Sequence, residues 1–260
     1  MFTMVNAMPT FLTLPQRAAK PRRSGITHVL DKGLPVAEVR PLLGVCGDYV
    51  DVWKLGWGTA YLDPGLADKL AVLAEHGVLA CAGGTLLEVA WQQGAVEAYL
   101  DWAGEVGFPC VEVSCGVASI SSSQKRELVE LAAGRFIVLA EIGVKDPGVV
   151  VSPAAWAADA TADLDAGATW IVTEGRESGT VGLFDSDGEV RSDVVDAVVG
   201  AVGLGSTVFE APRKEQQAWL IRRFGPDVNL ANVAPSDALG LEALRLGLRA
   251  DTFDARVRAR

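Results

Sequence analysis

Short runs of apolar, β-branched residues alternate along this chain with longer segments whose apolar positions recur at helical spacing. Eight such runs predict strands at 26–30, 49–54, 78–82, 110–114, 136–141, 170–174, 207–210 and 228–230. Each is apolar nearly throughout, as expected of strands covered on both faces. The helical pattern predicts helices at 36–43, 65–76, 86–106, 122–133, 154–166, 193–202, 214–224 and 236–248. Asp63 before Pro64 reads as a helix start, and Ser236-Asp237 can cap the last helix. Strict βα alternation predicts a parallel sheet. Eight units predict an α/β fold, a single closed (β/α)8 TIM barrel, with a doubly wound open sheet as the alternative.

No linker or composition shift divides the chain, so residues 20–260 read as the barrel catalytic domain and 1–19 as an N-terminal arm. That arm is expected to lie over the bottom of the barrel or to fray at the surface. Residues 1–14 are mildly apolar but lack a basic region and a cleavage site, so they do not read as a signal peptide. No apolar run approaches the ~18 residues of a membrane span. Four cysteines without C-x-x-C spacing read as free thiols of a cytoplasmic protein. With only His28 and His76, the sequence argues against a histidine-rich zinc site. A net charge of −10 argues against nucleic acid as a partner but not against a small anionic substrate. A homo-oligomer without nucleic-acid or membrane partners is expected.

The candidate chemistry follows the apolar runs. The first ends Asp31-Lys32-Gly33, the second contains Lys54, and the third ends Gly83-Gly84-Thr85. The fourth carries Glu112 and Ser114, the fifth Glu141 with Lys145 beyond it, and the sixth Glu174, Arg176 and Ser178. Glu210 and Arg213 close the seventh, and Asn229 and Asn232 belong to the eighth. Side chains two apart share a face of a strand, so Glu141 and Lys145, or Glu174 and Arg176, can point the same way. One buried charged pair is commonly structural, but charged groups on nearly every strand end outline an active site at the C-terminal face. Lysines and arginines there suit a multiply anionic small molecule. The surplus of glutamates suits oxygen coordination of Mg²⁺. No Walker A, G-x-S-x-G or Rossmann fingerprint is present.

Several segments, taken in order, carry a family resemblance. They include KPRRSGITHVLDKG (20–33), DYVDVWKLGWGTAYL (48–62), AGGTLLEVAWQQG (82–94), EIGVKDP (141–147), EGRESG (174–179), VFEAPRKEQQ (208–217) and FGPDVNLANV (224–233). Together they resemble the phosphosulfolactate synthase family over residues 20–253. The resemblance implies Mg²⁺-dependent addition of sulfite to phosphoenolpyruvate, giving (2R)-2-phospho-3-sulfolactate on the way to coenzyme M or related sulfonates. It implies Lys145 as the general acid, with Lys54 as second choice or as a phosphate contact. Glu141, Glu174 and Glu210 are the implied metal ligands. Arg22, Arg176 and Arg213 are implied anion contacts, beside Lys32, Gly83, Gly84, Ser114, Ser178 and Asn229. One departure stands out: Cys115 replaces an acidic or amide residue, and a thiol cannot serve as a Mg²⁺ ligand. Another nucleophile adding to a similar phosphoacid, or a non-catalytic stress-associated homologue, therefore stays open. Gly175, where a slightly larger residue is usual, reads as a neutral change.

Overall fold

The computed structural model describes residues 11–116, 118–143 and 151–258. Eight parallel strands close a barrel in sequence order, as expected, and the open doubly wound sheet is not formed. They are β1 (Thr27–Asp31), β2 (Val52–Leu55), β3 (Leu79–Ala82), β4 (Cys110–Val113), β5 (Ile137–Ile142), β6 (Trp170–Thr173), β7 (Thr207–Glu210) and β8 (Asn229–Val233). The helices are α1 (Val36–Cys46), α2 (Thr59–Leu62), α3 (Leu66–Glu75), α4 (Gly84–Gln92), α5 (Val96–Val106), α6 (Ser122–Ala133), α7 (Pro153–Asp165), α8 (Ser192–Val202), α9 (Lys214–Phe224) and α10 (Ala238–Arg245).

Several sequence expectations need correction, among them the cap at Ser236-Asp237, where Pro235–Asp237 form a 3-10 turn and Asp237 makes no side-chain hydrogen bond to α10. The helix expected at 86–106 is two helices, because Gly94 takes a left-handed φ of 67° and turns the chain between α4 and α5. The strand expected from residue 49 starts at Val52, since Gly47–Tyr49 form a 3-10 turn. At Asp63 the carboxylate accepts from Gly65 N (2.8 Å) and pairs with Lys69 (2.6 Å), two residues before Gly65, the N-cap of α3.

The alternation of strand side chains separates two apolar layers. Val52, Cys81, Cys110, Leu139, Val172, Val208 and Ala231 fill the barrel interior, while Trp53, Val111, Ala140 and Phe209 pack outward under the helices. Two residues above the interior plug, the same inward faces carry Lys54, Glu112, Glu141, Glu174 and Glu210. The charged ring is thus the top layer of a packed core and not the lining of a pore.

The bottom of the barrel is closed by arginines. Arg17 reaches Glu242 (3.0 Å), Asp227 (2.9 Å) and the carbonyl of Gly25 (2.8 Å). Arg245, 2% exposed, donates to the carbonyls of Val228 (2.6 Å), Ile26 (3.1 Å) and Pro226. Arg245→Leu removes a charged donor from all three carbonyls, of which Ile26 O keeps Leu230 N (2.9 Å) and Pro226 O keeps Arg17 (3.3 Å), and should cost about 3 kcal/mol. Calorimetry should show a drop in Tm of roughly 5–10 °C for a chain of this size.

Candidate active site

A cleft of about 260 Å³ opens at the C-terminal ends of the strands, lined by Lys54, Glu112, Glu141, Glu174, Arg176, Glu210 and Asn232 among others. Its centre is Lys54. The ammonium is buried and donates to Glu112 Oε2 at 2.8 Å and to Glu210 Oε1 at 3.1 Å. Burial alone pushes this lysine down, but Glu112, Glu210 and Glu141 outweigh that and hold it well above its ordinary range. It is a fixed positive charge.

The carboxylates outnumber it. One oxygen each from Glu112, Glu141 and Glu210 lie within 4.8 Å of one another, and all three side chains are buried. Burial raises the Glu112 carboxyl, Lys54 pulls it down, and Glu141 and Glu210 push it up again; the net direction is upward. Three acids around one ammonium leave surplus negative charge, and a divalent cation relieves that surplus. The all-oxygen donor set therefore fits a hard ion such as Mg²⁺.

Main-chain N–H groups fix the carboxylates. Gly84 N, the first residue of α4, donates to Glu112 Oε1 at 3.0 Å, so the helix N-terminus faces this acid. Gly175 N (2.9 Å) and Arg176 N (3.1 Å) both donate to Glu210 Oε2, and Arg176 N also reaches Glu174 Oε1 (2.7 Å). These approaches need glycine. A Cβ on Gly175 would lie 2.8 Å from the Glu210 carbonyl oxygen, and one on Gly83 would lie 2.9 Å from that of Leu55. A side chain at Gly175 has no room here, a constraint the bare sequence does not reveal.

Among the described residues, three non-glycine residues have positive φ: Trp57 (54°), Arg176 (52°) and Asn232 (55°). All three line the cleft. Backbone strain gathered at one site is typical of functional clefts. Beneath the ring, His28 shares the inward face of β1 with Leu30 and is wholly buried. Burial, then Lys54, push it well below its ordinary range, so it is neutral.

The other expected site residues are distributed unevenly. Lys54, Gly83, Gly84, Glu141, Glu174, Arg176 and Glu210 come together in the cleft. Lys32 is exposed, with its ammonium 5.0 Å from the Trp57 ring centroid, and lines an adjoining cleft of about 740 Å³. The Ser114 hydroxyl donates to buried Glu88, whose carboxylate also accepts from Gly116 N (3.1 Å) and Ala118 N (2.7 Å); this network ties down the loop after β4. Ser178 is exposed and bonds the Thr180 hydroxyl (2.9 Å), and exposed Arg213 precedes α9. Arg22 and Asn229 are not brought to the cleft. Arg22 reaches the Asp48 carbonyl (2.5 Å), and the Asn229 amide ties Ile26 N (2.9 Å) to Thr207 O (3.0 Å), all at the strand starts. Lys145 lies outside the described residues. Glu112 was legible as a charged strand residue, but its place in the acid trio follows from barrel stagger.

A closed (β/α)8 barrel with a cation and clustered carboxylates at its C-terminal face defines a barrel enzyme acting on a small polar molecule. The model of the (2R)-phospho-3-sulfolactate synthase (ComA) family matches residues 15–251. The chain belongs to the phosphosulfolactate synthase family. It is 40% identical over 249 residues to the phosphosulfolactate synthase of Methanothermobacter thermautotrophicus, covering 94% of this chain and 96% of that one. The Bacillus subtilis phosphosulfolactate synthase is 37% identical over 245 residues, covering 93% and 97%. The Arabidopsis thaliana protein HEAT-STRESS-ASSOCIATED 32 is 25% identical over 266 residues, covering 88% of each chain. Among solved structures, a 3-hexulose-6-phosphate synthase superposes with a TM-score of 0.55 at 19% identity, over 84% of this chain and 99% of that one, which speaks to the fold alone. Among the described residues no helix is long and apolar enough to cross a membrane.

Proposed function

We propose that this chain is a phosphosulfolactate synthase, joining sulfite to phosphoenolpyruvate with the help of Mg²⁺ to give (2R)-2-phospho-3-sulfolactate. The observation carrying this reading is Lys54 buried among Glu112, Glu141 and Glu210 at the barrel mouth. It stands beside 37–40% identity to relatives bearing that name. In the reaction the sulfite sulfur lone pair forms a bond to the methylene carbon, and the double-bond electrons move onto the adjacent carbon and the substrate carboxylate. That carbon then takes one proton. Glu112, Glu141 and Glu210 would hold the metal, which supplies positive charge opposite the anionic substrate.

Lys54 keeps its own positive charge beside the same acids, where it can stabilise charge developing on the substrate carboxylate. The N–H groups of Gly84, Gly175 and Arg176 hold Glu112 and Glu210 in place, so the cleft needs little reorganisation on binding. Proton delivery fits Lys145, by its place in the E-x-G-x-K segment, because Lys54 is too firmly protonated to be a ready donor. The test is consumption of phosphoenolpyruvate, with its phosphate retained in the product, that requires both sulfite and Mg²⁺. A folded protein that shows no such turnover sinks the reading.

The Cys115 departure bears on a second reading, a different nucleophile. Cys115 is half-buried against the outer core and is not among the described residues lining the cleft. Burial pushes its thiol up, which keeps it protonated. Cys115→Ser, a small change away from the cleft, should therefore leave sulfite-dependent turnover within about twofold. A rise in sulfite activity in Cys115→Asp would instead favour the second reading.

A further inference from the structure

β8 carries an irregularity that faces the cleft. Its pairing with β1 runs from Thr27–Leu230 to Val29–Val233, so three steps along β8 span two along β1. The extra residue is a β-bulge, and bulges beside binding sites re-aim a side chain. Ala231 points into the barrel interior and Val233 packs outward beneath the helices. Asn232, between them, also turns inward and lines the cleft. Its left-handed φ of 55° is tolerated better by asparagine than by most side chains, yet it remains unfavourable. The residue is 6% exposed, and its buried Oδ1 has no hydrogen-bond partner among the described residues. A bulge, a left-handed backbone and an unpaired buried amide atom thus converge on one side chain that the packing of β8 does not require.

Asn232 also lines the adjoining cleft that holds Lys32. An anion held between the cations Lys54 and Lys32 would pass its carboxamide. A half-turn of the terminal torsion exchanges Oδ1 for Nδ2, so the amide can offer a donor at the buried position. We propose that Asn232 is a specificity residue that donates its side-chain N–H to an anionic oxygen of the phosphorylated acid in the cleft. The identity of that acid rests on the function proposed above.

The test separates the side chain from the backbone. Asn232→Gly keeps the left-handed conformation at no steric cost, so its Tm should match or exceed that of the unaltered protein. Its Kd for phosphoenolpyruvate, titrated calorimetrically with Mg²⁺ present, should weaken about tenfold or more. Asn232→Asp, near in shape but acceptor-only, should bind more weakly still. Unaltered affinity in either variant overturns the inference. An aspartate variant that binds Mn²⁺ more tightly with phosphoacid affinity unchanged assigns the side chain to the cation, and overturns it too. If the unaltered protein does not bind phosphoenolpyruvate, the same titrations use inorganic phosphate and sulfite. A loss in the Asn232 variants then upholds the contact while the proposed substrate falls; an unaltered protein that binds none of the three overturns both.

Discussion

Lys54→Met should remove essentially all sulfite-dependent turnover and at the same time destabilise the barrel. The ammonium is the described cation bonded within the acid trio, 2.8 Å from Glu112 and 3.1 Å from Glu210, and is 5% exposed. Removing a preorganised charge from a buried site costs about 10²–10³ in rate when it acts on the transition state alone. Here the loss should be larger, because Glu112 and Glu210 lose the cation that offsets their mutual repulsion. Stripping the partner from buried charges costs about 3–5 kcal/mol, moderated by protonation of a carboxylate. The double variant Lys54→Met/Glu112→Gln should regain part of that stability and none of the activity. Thermal melts and assays on the same samples separate the two effects. Turnover within tenfold of the unaltered protein in Lys54→Met would show that the ammonium is structural only.

Lys54, Glu141, Glu174 and Glu210 were legible because inward faces repeat every second residue and barrel sites lie at the strand ends. The β7 bounds agree residue for residue for the same reason: Thr207–Glu210 is a short β-branched and aromatic run stopped by Ala211-Pro212. What lies between strands was not legible. Glu112 sits opposite Leu139, and Glu141 opposite Val172, so no two of the acids are direct register partners. Their meeting depends on the stagger of a closed barrel, which no single strand encodes. Glu174 shows the converse: it is one residue beyond β6, bonded to Arg176 N, and stands outside the acid trio although its sequence setting resembles that of Glu210. Asn229 and Asn232 show where period-two reading breaks. Regular alternation from Ala231 favours Asn229 and sends Asn232 outward, and the bulge reverses that choice.

The acid trio also predicts a pH dependence whose sign depends on the cation. In its absence, Glu112 is raised by burial and by Glu141 and Glu210, with Lys54 opposing. A carboxyl raised on folding binds more protons in the native state than in the unfolded chain. Stability contributed by this group therefore falls as pH rises from the unfolded carboxylate range through the raised value. A divalent cation must displace that proton, so its binding strengthens over the same interval. Saturating Mg²⁺ at about a hundred times its Kd stabilises a protein by about 2.7 kcal/mol. For a chain of this size that is a rise in Tm of roughly 5–10 °C. Melts across about pH 5 to 8, with Mg²⁺ and with chelator, should show the gap between the two curves widening as the acids ionise. Glu141→Gln and Glu210→Gln should each narrow it, while Cys115→Ser leaves it in place. A Tm indifferent to Mg²⁺ across that range would mean that the surplus charge is met by protons alone, and the trio would lose its role as a metal site.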